Sequence, residues 1–556
     1  MTVLKEKLFK PIKLTDAQLA SQARARIVAA HADPFFDLAV EPWIPVVRDG
    51  SVVLVGLRQL LVEAHRFSDL ALPNPLLRAA MRRYLEALTV DLVRRDTRAD
   101  VEVWEDRHVE NEGFAAGLVE HLLATHREHL WLWHPVSPFL QNQRLATDLS
   151  KPQVDKPAQE LVLHLPTSSS AAWWVKADEP LLVGGLSAAE TARWVVVRWF
   201  YAVNGNSAAQ AVPGGTVISQ SGGAFAETVA TITHAFRVDG ISLFRSLLRG
   251  IPASLQNGDA AGELCWLDMQ RPRPNADPAY QATMNASAIL LASRDAVGAT
   301  VAYLPGSGPV SGDIAKALSK GALAVDAHRI TAPNAKGEVG VVRVQPGALR
   351  SDVLEAFHRA GFDSQTLHGV VNSADCWLRA DADSVDRERL ELLLVSKGGT
   401  GSSPVWEDLA GIELPARHLD PAHPNSAVVE HIRASVQVAF APKEGVRPHL
   451  ERAVADLLAQ PGPDGWKAPK RDNATFEALT AKAVATWLAA TAAAFEEVLD
   501  ASGRPDAPAA LDRWRELVWR AAREAFEQTA RPYITSTRYA PRYATALRHL
   551  TPRSSS

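Results

Sequence analysis

Glu120, His121, His126, His129 and His134 form the grouping in this sequence best suited to metal chemistry. Imidazole and carboxylate are the ligands of a catalytic zinc-type site, and a spacing of three puts His126 and His129 on one face of a helix. A metal held there would activate water for hydrolysis. The other reading is a run of surface histidines. The usual enzyme signatures are absent: there is no G-x-x-x-x-G-K-[ST] phosphate loop, no H-E-x-x-H, no G-x-S-x-G elbow and no dinucleotide fingerprint. Cys265 and Cys376 are the only cysteines, and no C-x-x-C occurs. This excludes a disulfide scaffold and a cysteine-based zinc cluster, and it fits a reducing cytoplasm.

Two further groupings suit nucleic acid. Trp173-Trp174-Val175-Lys176 follows Thr167-Ser-Ser-Ser in a loop-rich stretch and ends in a cation. Such indoles either stack on bases beside a phosphate-binding lysine or anchor the loop. Between Gly503 and Arg553 there are ten arginines and five acidic residues, a net +5 within a chain of net −4. Beyond Glu527 no acidic residue appears, while Arg531, Arg538, Arg542, Arg548 and Arg553 recur among Tyr533, Tyr539 and Tyr543. Arginines interleaved with aromatics suit phosphates and exposed bases. A solvated helix face with its tyrosines in a core is the alternative.

The elements that must position these residues follow from length and pattern. A chain of 556 residues exceeds a typical domain several-fold and divides. Its 47% hydrophobic and 22% charged content is that of a folded globular protein. The net charge argues against a wholly basic nucleic-acid binder, so any polyanion site is regional. Met1 to Leu14 lacks the apolar core of a signal peptide, and apolar runs such as Trp194 to Val203 are broken well before the roughly 20 residues of a membrane span.

Thr15 and Gln18 have capping-box spacing at the head of a helix reaching Ala32. Asp49-Gly50 between two Val-rich runs predicts a β-hairpin. Helical spacing follows over Leu57 to Phe67 and Pro75 to Arg95, with Arg78, Arg82, Arg83, Arg94 and Arg95 largely on the outer face. Pro135 to Gly223 is punctuated by Pro, Ser and Gly and holds one helix, about Ala188 to Tyr201. Ala288 to Val395 reads as strand-rich. After residue 420 helices are expected over Ser426 to Phe440, Arg447 to Leu458, Asn473 to Leu499, Ala509 to Gln528 and Arg538 to Leu550. Trp194, Trp199, Trp487, Trp514 and Trp519 are core candidates. The fold class is α+β, with an N-terminal helical extension (1–34), a large mixed domain (35–420) and a C-terminal helical bundle (421–556).

Several stretches, in order, resemble the CasA family, the large subunit of the type I-E Cascade complex of CRISPR interference. They are Phe36-Asp-Leu-Ala-Val-Glu-Pro-Trp-Ile-Pro-Val, Ser137-Pro-Phe-Leu-Gln, the Gly-rich Val212-Pro-Gly-Gly-Thr-Val-Ile-Ser-Gln-Ser-Gly-Gly, and the helical Ala485-Thr-Trp-Leu, Trp514-Arg-Glu-Leu and Ala521-Ala-Arg-Glu-Ala-Phe. The resemblance runs from Phe36 to Leu550 and leaves residues 1–34 without a counterpart. It implies an α/β domain followed by a four-helix bundle, and a subunit with no catalytic residues, metal or cofactor. Its implied partners are the other Cascade subunits, the guide RNA, double-stranded target DNA and a helicase-nuclease.

The resemblance also implies residue roles. Trp174, Val175 and Lys176 would anchor the subunit at the guide-RNA handle. Gly214 and Gly215, with either Lys316 or Lys320, would read the target-flanking motif in the minor groove, where A·T and G·C pairs are told apart but little more. Backbone without a side chain can approach base edges closely, although Gly214-Gly215 can also be a simple tight turn. The family's wedge glutamine has no match in Ser373 to Asp381, so Trp377, Leu378 or Arg379 would part the first base pairs. A Trp377 buried in a strand is the other reading. Arg531, Arg538 and Arg542 would hold phosphates of the displaced strand.

Overall fold

The computed structural model describes residues 16–95, 113–147, 155–162, 185–201, 205–211, 217–221, 230–233, 242–249, 264–267, 288–306, 331–333, 339–341, 389–398, 405–415 and 427–551, the last without 442, 464, 471–472, 503 and 536–538. It opens with α1 (Asp16–Ala30), inside the expected helix, and β1 (Phe35–Asp37). The Asp49-Gly50 hairpin forms as expected: β2 (Ile44–Arg48) pairs antiparallel with β3 (Ser51–Val55), Arg48 facing Ser51. Asp49 and Gly50 take φ of 49° and 75°, the mirror-image turn that matches strand twist. β4 (Asp69–Leu70) completes that sheet on the far side of β2. The single helix expected over 57–67 is instead α2 (Leu57–Val62) followed by a 3-10 turn, Ala64–Arg66.

The long helix α3 (Pro75–Arg95) is the axis of the N-terminal core. Its start is capped by Asn74, whose Oδ1 accepts from the backbone N–H groups of Leu76 and Leu77 at 2.9 and 3.2 Å. Residues 81–90 are all buried, which corrects the outer-face assignment of Arg82 and Arg83. Arg82 is 1% exposed and pairs with Asp69. The guanidinium of Arg83 lies 4.6 Å over the ring of Phe200. The physical reason is crowding. Helices α4 (Ala116–Thr125), α5 (Ala188–Phe200) and α6 (Leu243–Arg249) all pack on α3, so it has no outer face over most of its length.

Aromatic rings fill the space around α3. Tyr84 lies 5.5 Å from both Phe139 and Trp266, Trp43 lies 5.8 Å from Phe139, and Trp199 lies 6.4 Å from Trp266. Trp194 and Trp199 are buried, as expected of core residues. Ser187 starts α5 with a full capping box: its Oγ accepts from Glu190 N at 3.3 Å, and its own N–H donates to Glu190 Oε2 at 3.1 Å. Ser187→Ala is expected to cost about 1 kcal/mol, read as a drop in the denaturant midpoint.

β1 pairs with β5 (Trp131–Trp133). A five-stranded sheet runs β10 (Ala288–Arg294), β11 (Thr300–Gly306), β7 (Gly205–Ala211), β8 (Val217–Ser221), with β6 (Lys156–Pro157) also on β11. α1 docks on this sheet. Ile27 is fully buried with Leu290, Ala292 and Leu304, Arg24 Nε donates to Ala146 O at 3.2 Å, and Arg26 pairs with Asp155. A second sheet, β15 (Val405–Pro415), β14 (Arg389–Gly398), β9 (Ala230–Thr233), is antiparallel throughout, and β12 (Thr331–Pro333) pairs with β13 (Val339–Val341).

Residues 427–551 are helical around a core of their own. α7 (Ala427–Phe440), α8 (Val446–Leu457), α9 (Ala474–Ala501) and α10 (Ala507–Ile534) lie close to the expected spans, and a fifth helix, α11 (Ala540–Leu547), packs on α8 and α10. Two indoles tie the helices together: Trp487 Nε1 donates to Val518 O at 3.0 Å, and Trp514 Nε1 to Ser435 O at 2.9 Å. Trp519 is partly buried against the same core. A short hairpin, β16 (Gln460–Gly462) and β17 (Gly465–Lys467), projects between α8 and α9 in sequence. Among the described residues no single helix is long and apolar enough to cross a membrane.

Candidate nucleic-acid interface

The histidine grouping does not converge. α4 ends at Thr125 and a 3-10 turn follows over Arg127–Leu130, so His126 and His129 do not share an α-helical face. Glu120 Oε1 accepts from Arg58 Nε at 2.7 Å. His126 is 1% exposed with its Nε2 2.9 Å from Asp91 Oδ2. His134 Nδ1 accepts from the backbone N–H of Val136 at 3.3 Å and of Ser137 at 3.0 Å, holding the loop that follows. Among the described residues no three His, Cys, Asp or Glu side chains are arranged to hold a metal ion. The helix face that His126 and His129 were expected to share is therefore not formed.

Burial holds His129 and His134 below the ordinary imidazole range, and nearby His126 adds to the effect at His129. Burial does the same at His31, whose ring nitrogens face Leu291 O at 2.9 Å and His134 O at 3.2 Å. A base with a lowered folded pKa leaves the unfolded chain to take up protons first. Stability is therefore full above the unfolded value of about 6.5 and declines as pH falls below it. The melting temperature is expected to drop between pH 7.5 and 5.5, with a shallower drop in His31→Gln. A flat profile would count against buried neutral histidines.

Most residues assigned to nucleic acid lie outside the described residues: Trp174, Val175 and Lys176, Gly214 and Gly215, Lys316 and Lys320, Trp377, Leu378 and Arg379, and Arg538. The frame around one set is described. β7 and β8 are antiparallel neighbours with Ala211 facing Val217, so Val212 to Thr216, which include Gly214-Gly215, join two paired strands. In the same sheet β11 runs parallel to β7, Gly306 facing Ala208. Lys316 and Lys320 follow β11 in sequence.

The basic tail divides in two. Arg531, in the last turn of α10, is exposed. Arg542 is largely enclosed, its side chain 13% exposed. Its Nε donates to Asp456 O at 3.1 Å at the C-terminal end of α8, Nη2 lies 3.4 Å from Asp456 Oδ1, and the guanidinium sits 4.8 Å over Trp466. The tyrosines belong to the bundle: Tyr543 stacks on Phe526 at 5.9 Å and 12°, and Tyr533 meets Tyr539 edge-on at 5.4 Å. Arg542 is thus engaged by Asp456 and Trp466, unlike the exposed Arg531, and the tyrosines pack as the core reading expects. Trp466 was not singled out by any motif. Its one signal in the sequence is its place in the turn-forming run Gln460-Pro-Gly-Pro-Asp-Gly-Trp-Lys.

A mixed N-terminal part followed by helices around their own core is a fold this chain has in common with solved CRISPR-associated proteins. The chain superposes on a crystal structure of CasA from Thermus thermophilus with a TM-score of 0.66 and 20% identity, covering 93% of this chain and 98% of that one. Cse1 from Acidimicrobium ferrooxidans gives 0.63 and 20%, over 94% and 100%. A chain of a CRISPR RNA-guided surveillance complex gives 0.64 and 18%, over 93% and 100%. In sequence, the family profile of CRISPR-associated protein Cse1 matches residues 37–301. CasA/Cse1 of Thermus thermophilus is 37% identical over 107 residues, 19% of this chain and 20% of that protein, so the matched stretch spans about a fifth of that relative. Over residues 37–301, just under half of its length, the chain is thus similar to the CRISPR-associated Cse1 (CasA) family, and its fold is similar to that of the solved CasA and Cse1 structures.

Proposed function

We propose that this chain is the non-catalytic large subunit of a cytoplasmic type I-E Cascade surveillance complex, that it reads the flanking motif (PAM) of double-stranded target DNA, and that it starts strand separation leading to the R-loop. Its partners in this reading are the other Cascade subunits, the guide RNA, the target duplex and the helicase-nuclease that it helps recruit. The domain boundary near residue 420 belongs to the same reading, with residues 1–34 as an extension.

The observation that carries it is the pairing of β7 with β8, Ala211 opposite Val217, which leaves Gly214-Gly215 in the short connection between them, within the stretch of the chain that is similar to the Cse1 family. Residues without Cβ leave backbone amides free to approach base edges, and contacts in the minor groove separate A·T from G·C. Lys316 or Lys320 would supply the cation beside that backbone. Trp377, Leu378 or Arg379 would fill the gap between the first parted base pairs. Trp174, Val175 and Lys176 would hold the guide-RNA handle, and Arg531 and Arg538 the displaced strand.

Gly214→Asp places a carboxylate and a Cβ against the groove. In a gel shift of guide-loaded complex on matched targets that differ only in the flank, this variant is expected to lose the difference between good and poor flanks. Wild-type binding that is equal on all flanks would sink the reading. Flank dependence that survives in Gly214→Asp would remove the glycines from it.

A further inference from the structure

Trp466 is the one large hydrophobic side chain among the described residues of 427–551 that stands in water, 48% exposed. The hairpin that carries it is stiff. Gly462 faces Gly465 across a two-residue connection and Pro461 faces Trp466. Gly465 has φ of 110°, a conformation open to glycine and strained for other residues. Pro461 and Pro463 restrict the backbone further. Held this way, the indole loses little freedom when something binds to it.

One face of the indole is already taken. The guanidinium of Arg542 lies 4.8 Å from the ring centre and is itself fixed by Asp456 O and Oδ1. Asp456 Oδ2 is also 2.9 Å from His549 Nε2. The contacts therefore run from carboxylate to guanidinium edge, and from guanidinium face to indole. Lys467 follows the indole directly and Lys470 comes four residues after it, and both are exposed, as is Arg548, six residues beyond Arg542; the 503–553 segment carries net +5. A protein hot spot would set such a tryptophan among apolar neighbours, and none of the other exposed large hydrophobics lies in this part of the chain. A rigid aromatic face backed by arginine and flanked by lysines is instead what single-stranded nucleic acid uses, with bases stacking and phosphates meeting the cations.

We propose that Trp466 is a stacking platform for an unpaired nucleobase, with Arg542 as its positioning residue and Lys467, Lys470 and Arg548 as phosphate contacts. The proposal deepens, and rests on, the reading of the C-terminal helices as the side that meets the displaced strand.

The test is fluorescence anisotropy of the full-length chain with a labelled oligothymidine of about 12 nucleotides, beside an abasic oligomer of the same length and charge. The wild type is expected to bind the thymidine oligomer more tightly than the abasic one. Trp466→Ala is expected to weaken oligothymidine binding about 5- to 100-fold, the range of one lost base stack, and to leave abasic binding nearly unchanged. Trp466→Leu keeps apolar bulk without a π face and is expected to behave like alanine, while Trp466→Phe recovers much of the loss. An unchanged melting temperature in Trp466→Leu separates loss of stacking from loss of folding. Equal wild-type affinity for the two oligomers, no binding of either, or leucine binding as well as tryptophan would overturn the proposal. Flank dependence of duplex binding by the wild-type complex is read separately, so its absence would fail the subunit reading and not the stacking platform.

Discussion

Asp69→Ala is expected to destabilise the N-terminal core by about 3–5 kcal/mol, the range for breaking a buried ion pair from one side. Arg82 is 1% exposed at the middle of α3, and Asp69, on the neighbouring strand β4, supplies its counter-charge. The guanidinium is a fixed charge. Removing the carboxylate therefore leaves a full charge in a region packed with Tyr84, Leu85 and Leu88. The asymmetry of the pair gives the control. Arg82→Met combined with Asp69→Ala removes both charges and keeps apolar volume, and it is expected to recover most of the loss. Urea denaturation of the two variants beside the wild type decides it. A cost below about 1 kcal/mol for Asp69→Ala would mean the pair is solvated as a surface bridge would be.

That arginine also marks the limit of what the sequence makes legible. Periodicity locates α3 to the residue, because a run of Leu, Ala and Val at helical spacing has few other solutions. The same periodicity puts Arg82 and Arg83 outside, because it takes for granted a helix with one wet face. Whether a helix has a wet face depends on what packs on it from Ala116–Thr125, Ala188–Phe200 and Leu243–Arg249, contacts distant in sequence. The hairpin at Asp49-Gly50 and the capping box at Ser187 are legible for the opposite reason: their physics is complete within a few residues.

The histidines follow the same division. Their spacing suggests a shared face only if the helix continues through His126, and it stops one residue earlier. In the tail, charge counting finds the arginines but not their partners. Nothing local to Arg542 announces that Asp456, 86 residues away, takes it out of solution. Trp466 escapes notice because a lone tryptophan in a Pro-Gly run carries no periodicity, and its exposure is a property of the hairpin as a whole.

Trp487→Ala is expected to cost the C-terminal helices about 3–5 kcal/mol, the usual effect of emptying a tryptophan-sized space in a core. The ring is fully buried, its centre lies 5.7 Å from that of Phe440, and its Nε1 bonds across to Val518 O at 3.0 Å, so it joins α7, α9 and α10 at one point. Trp487→Phe fills part of the volume and forfeits the cross-helix bond, and a smaller loss is expected. The location of the loss carries more than its size. Trp487 belongs to the hydrophobic cluster of residues 436–550, whereas Arg82 and Asp69 serve the cluster around α3, and the two clusters share no residue. If the proposed boundary near residue 420 separates two units, calorimetry of Trp487→Ala will lower one transition and leave the other in place, Asp69→Ala will do the reverse, and the double variant will lower each by its single-variant amount. A single transition that moves in all three variants would instead tie the helices to the large domain, through contacts such as those of α9 and α3 with β15. The bundle could then not loosen without disturbing the sheet of β15, β14 and β9.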